Sequence, residues 1–292
     1  MKDMTNHPLV SVLIANYNNG KYLMDAIESI RRQTYTNWEI ILVDDASTDN
    51  SHELYQELNN DKHIHVYFND KNCGCGYTKR RCAELANGKI CGFLDPDDAL
   101  LEDALEVMVD EHIRNKDVSM VYSRYYVCDS NLKVQKISEH QREIKTSFLE
   151  EQKGAISHYV TYKREYYLKS EGISASIYRS VDHDLYFRLE EVGPTKFIDK
   201  PLYFYRTETG CNISLGSNST NALFWDYIVV SDACRRRGIS VEKYAFPLLY
   251  EYVKWNVELA KIQEAQKIRS SYAYRIGDFL LKPIKFLKLL KK

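Results

Sequence analysis

Asp95, Asp97 and Asp98 place three carboxylates within four residues, directly after the apolar run Ile90–Leu94. Neighbouring like charges repel and each resists leaving water, so a buried strand ending in them is unfavourable without a neutralising cation. Oxygen donors at this density suit a hard divalent ion, Mg²⁺ or Mn²⁺, and such ions usually accompany phosphate-bearing substrates. The plainer account is capping: Asp97 or Asp98 would accept from the first amides of the helix that follows. The stretch alone does not choose between them. The elements around it do.

Val10–Ala15 (VSVLIA) is a short β-branched run that reads as a buried strand, ending in the turn formers Asn16-Tyr17-Asn18-Asn19-Gly20. Leu23, Ala26, Ile27 and Ile30 then recur at helical spacing. Glu39–Val43 is a second strand, closed by Asp44-Asp45, and Ser47-Thr48-Asp49 can cap the helix carrying Leu54 and Leu58. Ile64–Phe68 and Ile90–Leu94 are further strands, with a helix near 77–86 between them stopped by Gly88. A helix over 101–113 and a strand over 118–123 follow. Strands and helices alternating at these lengths predict βαβ units, a mainly parallel sheet, and ligands beyond the carboxyl ends of its strands. Asn16-Tyr17, Asp44-Asp45 and Asp95–Asp98 all fall at such ends. Three unrelated caps would have no reason to meet on one edge of a sheet, so the convergence favours a ligand site.

Past residue 124 the alternation lapses, and 128–153 reads as a strand pair or loop excursion. A helix near 163–170 stops at Gly172, and another over 182–191 carries Asp182 and Asp184 in its first turn. The plain role of those acids is complementing the helix dipole, worth about 0.3–1 kcal/mol each. Residues 197–206 (FIDKPLYFYR) look like an edge strand, where Pro201 is tolerated. Residues 208–220 form a loop and candidate lid, and 221–237 and 244–269 are helices.

Composition narrows the function classes. The 292 residues carry 40 Lys plus Arg against 41 Asp plus Glu, a balance that argues against a general nucleic-acid binder. Seven scattered Cys and no charged-then-apolar leader predict a reducing cytoplasm and free thiols, with Cys73-Gly-Cys75 as plain loop residues. No apolar run approaches the ~20 residues that span a bilayer. The last stretch, 275–292, sets six basic residues and many apolar ones against one acid, which suits peripheral contact with an anionic cytoplasmic membrane face. The abundance of Tyr, 23 residues, hints at surfaces that handle polyhydroxylated ligands or simply at amphipathic packing.

Together, PLVSVLIANYNNGKYLMDAIESIRRQTYTNWEIILVDDASTDNS, NGKICGFLDPDDALLEDALE, and later DHDLYFRLEEVG with PLYFYR resemble glycosyltransferase family 2. These are inverting, nucleotide-sugar-dependent enzymes. The likeness covers roughly the first 215 residues and is strongest over the first 115. It implies the GT-A fold, an α/β architecture with a Rossmann-like sheet flanked by helices, here with a helical carboxyl-terminal extension. It divides the chain into a nucleotide-sugar half (1–123), an acceptor and catalytic-base half of the same domain (124–220), and a helical region with the basic tail (221–292).

Carried over by position, the resemblance implies that Ala15 and Tyr17 line the base pocket, with Tyr17 stacking on the pyrimidine, and that Asp45 accepts from the uracil imide. Lys79 stands where the family usually has Arg and keeps the charge without the planar fork, while Arg80 replaces a usual Asn and can supply a guanidinium. Asp97 and Asp98 occupy the metal-binding acids, Asp98 as the direct ligand, and Asp95 contacts sugar or ribose. Asp182 is the expected general base, its usual Glu companion replaced by Val181; His183, Asp184 or His158 are the alternatives. After Tyr205-Arg206 the family often has a His, but here Thr207-Glu208 follows, leaving Glu208 or Asn212 as substitutes. The implied partners are a UDP-sugar donor and a glycan or lipid-linked acceptor, with surface-polysaccharide assembly as the setting. A nucleotidyltransferase would want a Gly-rich loop after the first strand, which Asn16–Gly20 is not; a silent sugar-nucleotide binder is the other alternative.

Overall fold

The computed structural model describes residues 7–151, 154–207 and 219–270. The expected lid over 208–220, except Ser219 and Thr220 at the start of a helix, lies outside them, as do Glu208, Asn212 and the basic tail at 275–292.

The first half runs β1 (Val10–Asn16), α1 (Gly20–Arg31), β2 (Trp38–Asp44), α2 (Ser51–Leu58), β3 (Ile64–Phe68), α3 (Cys75–Leu85), β4 (Ile90–Phe93), β5 (Ala99–Leu100) and α4 (Ala104–Arg114). The second runs β6 (Met120–Cys128), β7 (Val134–Ile137), α5 (Phe148–Glu151), β8 (Val160–Lys163), α6 (Arg164–Lys169), α7 (Val181–Val192), β9 (Thr195–Arg206), α8 (Ser219–Arg237), α9 (Val241–Tyr244) and α10 (Phe246–Ser270). All the strands join one sheet in the order β3-β2-β1-β4-β8-β6-β9-β5, with β7 branching from β6.

β1 and β2 read as continuous apolar runs because both faces of the sheet are covered. Side chains alternate across the sheet, so Val12, Ile14, Ile40 and Leu42 pack with α1 and α4, while Leu13, Ile41 and Val43 pack on the opposite face with α3 and α7. β1 to β4 pair in parallel, as the βαβ alternation predicts. Antiparallel insertion of β8 between β4 and β6, and of β7 beside β6, makes the whole sheet mixed.

Two local expectations change, and the capping alternative for the acid turn fails. The acids of 95–98 do not cap α4, which begins only at Ala104 after Asp103; the two-residue β5 intervenes. β9 is not a simple edge strand: β6 pairs along it in parallel and β5 pairs with Tyr203 and Phe204. Pro201 is accommodated where the β6–β9 register shifts, opposite Arg124. β8 is only four residues long and runs directly into the α6 helix, so sequence reads it as part of the approach to that helix; it follows closely on His158 and ties that segment into the sheet.

Candidate active site

A cavity of about 470 Å³ opens beyond the carboxyl ends of β1, β2 and β4. Ala15, Tyr17, Asp45, Lys79, Asp95, Asp97, Asp98 and Asp182 all line it. Residues separated by more than a hundred positions meet here because parallel strands deliver their termini to the same edge.

The acid turn is held from behind by β9. The Tyr203 hydroxyl donates to Asp98 Oδ2 at 2.7 Å, and the Arg206 backbone N–H donates to Oδ1 at 2.7 Å. The Arg206 side chain donates to the Asp97 carbonyl at 2.6 Å and to Asp25 at 2.6 Å, and lies over the Tyr22 ring. Burial, then the charges of Asp97 and Asp95, holds the Asp98 carboxyl well above the usual range. Asp97 is pushed up to about 6, first by burial and then by Asp95. Asp98, which the resemblance implies as the direct metal ligand, lines the cavity but is 1 % exposed, with a donor on each oxygen bracing the turn. Asp95 and Asp97, both partly exposed, are the acids better placed to meet a ligand.

Among the described residues no three His, Cys, Asp or Glu side chains are grouped to enclose a metal. Mg²⁺-type sites at phosphates often need only one or two carboxylates, the other oxygens coming from substrate and water. Asp97 and Asp95 fit that sparse arrangement, and the raised Asp97 carboxyl marks excess negative charge that a cation would relieve.

Across the cavity Lys79, 6 % exposed, reaches from α3 with its ammonium 2.8 Å from Asp182 Oδ1 and 3.2 Å from Asp95 Oδ1. Burial alone would lower the Lys79 pKa, but Asp182 and Asp95 outweigh it and raise it well above its ordinary value. Burial likewise pushes Asp182 upward, and the Lys79 charge, with His158 and His183, prevails and holds it below the usual carboxylate range. Asp182 sits in the first turn of α7. Of the alternative bases, Asp184 is 2 % exposed and accepts from Arg188 Nε at 2.8 Å and the Ser174 N–H at 2.9 Å. His183 pairs with Asp226 of α8 at 3.1 Å.

Asp45 organises the side of the cavity lined by Tyr17. It accepts from Asn69 Nδ2 at 2.7 Å and from the Cys73 and Gly74 amides at 2.8 and 2.9 Å. Gly74 has φ of +88°, and a Cβ there would meet the Tyr178 ring at 2.6 Å, so the loop can fold against Tyr178 only with glycine. Cys73 therefore serves through its amide, in keeping with a plain loop role. Tyr17 lines the same side with its ring 45 % exposed. Asn16 and Asp44, grouped with them by sequence, are instead buried in a network with Tyr55, Ser47 and Ser51 that locks β1 to β2 and α2.

Arg80 is not brought to the cavity. Successive helical residues point about 100° apart, so with Lys79 inward Arg80 turns away, to Glu84 at 2.7 Å and the Ile173 carbonyl at 3.1 Å. His158 enters from the other side, stacked between Tyr203 and Tyr205 with ring centroids 4.9 and 5.6 Å away, its Nε2 3.8 Å from Asp95. Sequence offered it only as a reserve base. Tyr178 and Arg179 also line the cavity, and their only sequence signal was their place just before the Asp182 helix.

A sequence profile described as Glycosyl transferase family 2 matches residues 11–170. Chondroitin synthase of Escherichia coli is 33% identical over 247 residues, 82% of this chain and 34% of that protein. The match spans 34%, 41% and 24% of the length of three such relatives, E. coli chondroitin synthase, the glycosyltransferase GlyG of Streptococcus pneumoniae and the hyaluronan synthase of Pasteurella multocida. Among solved structures, S. aureus TarS in complex with UDP-GlcNAc superposes with a TM-score of 0.62 at 16% identity, covering 84% of this chain and 71% of that one. The mannosyltransferase PcManGT from Pyrobaculum calidifontis, solved with GDP-Man and Mn²⁺, gives 0.57 at 12% identity, covering 93% of this chain and 83% of that one. At those identities the likeness establishes the shared GT-A fold.

Proposed function

The chain belongs to glycosyl transferase family 2, and from that premise we propose that it transfers one sugar from a UDP-sugar to a hydroxyl of a glycan or lipid-linked acceptor in polysaccharide assembly. The observation that carries this reading is the meeting of Lys79 with Asp95 and Asp182 in the same cavity as Tyr17, Asp45 and Asp97. The UDP-GlcNAc bound to TarS and the polysaccharide named in chondroitin synthase support the donor and product classes. The nucleotide-binding and acceptor-binding halves divide near residue 123, inside β6, and share the one sheet.

Tyr17 stacks on the base, and Asp45, whose Oδ2 accepts the Gly74 N–H, offers that oxygen's second lone pair to the base imide, with Ala15 beside them. Lys79 takes the diphosphate as a further anionic partner, which loosens its hold on Asp182. Asp182 then accepts the proton of the attacking acceptor hydroxyl, a step worth roughly 10²–10⁴-fold. The acceptor oxygen bonds to the anomeric carbon as the bond from that carbon to the diphosphate oxygen breaks, so UDP leaves from the opposite face and the configuration inverts. Asp97 and Asp95 would hold Mn²⁺ or Mg²⁺, which when bound neutralises charge developing on the leaving diphosphate; the Mn²⁺ in PcManGT supports the pairing.

Release of UDP from a panel of UDP-sugars, with and without Mn²⁺, tests the reading. One donor should support metal-stimulated release that an acceptor increases. Absence of both UDP binding and turnover across the panel would reject it. The basic stretch 275–292 is proposed to touch an anionic membrane, and unchanged liposome flotation after its deletion would reject that contact.

A further inference from the structure

A second cavity, about 580 Å³, lies at the opposite end of the sheet from the candidate active site. Its wall includes Pro8 just before β1, Ile90 at the start of β4 and Lys163 at the end of β8, which pairs with Ile90. The donor site occupies the carboxyl ends of β1 and β4, so the sugar transfer described above makes no use of this place.

Four cations line it: Lys89, Lys116, Lys163 and Arg164. In a chain whose net charge is −1, such a group normally carries neighbouring carboxylates. Among the described residues lining it Glu165 is the sole acid; it pairs with Lys169 at 4.0 Å, and both it and the nearby Asp117 act on Lys163, leaving Lys89, Lys116 and Arg164 to set the potential. Lys163 donates to the Asn115 carbonyl at 3.0 Å and to the Lys116 carbonyl, so its charge already offsets the negative end of the α4 dipole. Arg164 is anchored through its backbone N–H to the Lys89 carbonyl at 2.9 Å, while its side-chain Nε is buried without a hydrogen-bond partner among the described residues.

His112 lies in the wall beside it. It is 3 % exposed, its Nε2 lies 3.0 Å from Thr161 Oγ1, and its Nδ1 has no partner. A buried guanidinium N–H without a partner among the described residues is costly, since it has given up water for nothing. Burial first, and then Lys163, holds the His112 pKa down to about 3, consistent with a positive potential here.

We propose that this cavity is a second, non-catalytic site that binds a phosphate ester. Arg164 supplies the buried donor, and the exposed Lys89 and Lys116 neutralise the anion at the rim. Several convergent cations suit a multiply charged oxyanion better than a single carboxylate. The apolar walls, Ile90, Ile113 and Leu168, leave room for the organic part of the ester.

The test uses the full chain with two probes, glycerol 3-phosphate by calorimetry and phosphatidylglycerol vesicles by flotation, against phosphatidylcholine controls. Arg164→Gln should weaken glycerol 3-phosphate binding by about tenfold, the loss of one charge-assisted hydrogen bond. Lys89→Gln/Lys116→Gln, at exposed positions that do not endanger folding, should weaken it by about as much. UDP affinity should stay unchanged in both, which separates this site from the donor cavity. A soluble ester is the ligand if calorimetry responds to the variants. A lipid headgroup is the ligand if only phosphatidylglycerol flotation falls in both. If neither probe distinguishes the variants from the parent protein, the proposal is wrong.

Discussion

Removing the Lys79 ammonium should expose how the cavity stores its charge. Lys79 keeps 7% of its side-chain surface exposed and stands 2.8 Å from Asp182 and 3.2 Å from Asp95. At an effective dielectric of about 20, the gross attractions are about 6 and 5 kcal/mol. Desolvating the ammonium opposes them by several kcal/mol. Asp182 and Asp95 also remain 34% and 29% exposed, so water screens both contacts. The net coupling of the Lys79–Asp182 pair should therefore be about 1–3 kcal/mol. A double-mutant cycle of Lys79→Met and Asp182→Asn, read by urea unfolding at about pH 7, where both groups carry their charge, measures it. The pH dependence has a definite sign. Asp182 is depressed in the folded state, so its contribution is present above the unfolded carboxylate range and is lost as pH falls through its lower folded value. Lys79 is raised, so its contribution is present below the unfolded lysine pKa and is lost only as pH rises through its higher folded value. The penalty of Lys79→Met should accordingly be largest near neutrality and shrink as Asp182 becomes protonated in acid. Additive single mutants, or a penalty that does not change between neutral and acid pH, would refute the charge-pair account.

Asp182→Asn should leave UDP affinity within about twofold while turnover in the UDP-release assay falls at least ~100-fold; retained turnover would move the base to His158. Tyr17→Ala should weaken UDP binding by about 1–3 kcal/mol, the value of a base–aromatic stack, whereas Arg80→Gln should change it by less than about twofold because that side chain faces Glu84. Calorimetry with UDP separates these two outcomes. Tyr203→Phe removes the donor to Asp98 Oδ2 and should destabilise the fold by about 1–3 kcal/mol in denaturant unfolding. An unchanged midpoint would show that Asp98 does not depend on that hydroxyl.

The positions of the acids were legible because each follows a strand whose apolar run is unmistakable: VSVLIA before Tyr17, EIILV before Asp45, ICGFL before Asp95. Parallel pairing then sends all those ends to one edge. The roles within each cluster were less legible. Asp97 and Asp98 are adjacent, chemically identical and both line the cavity, yet Asp97 is partly exposed while Asp98 is held on both oxygens by Tyr203 and Arg206, more than a hundred positions away. Lys79 and Arg80 are both cations of one helix, and only the direction of α3 against the sheet determines which of them enters.

Sequence by itself determined the βαβ half, the strand ends that carry charge and the Asp182 helix, since these rest on local periodicity and on the geometry of chain connection. Tertiary structure alone decided the antiparallel entry of β8, the stacking of His158 between Tyr203 and Tyr205, the pairing of Lys79 with Asp182, and the basic cavity around Arg164. Those features depend on contacts between segments far apart in the chain, where burial and the nearest opposite charge set what a side chain does, and neither quantity is a property of the residue's neighbours in sequence.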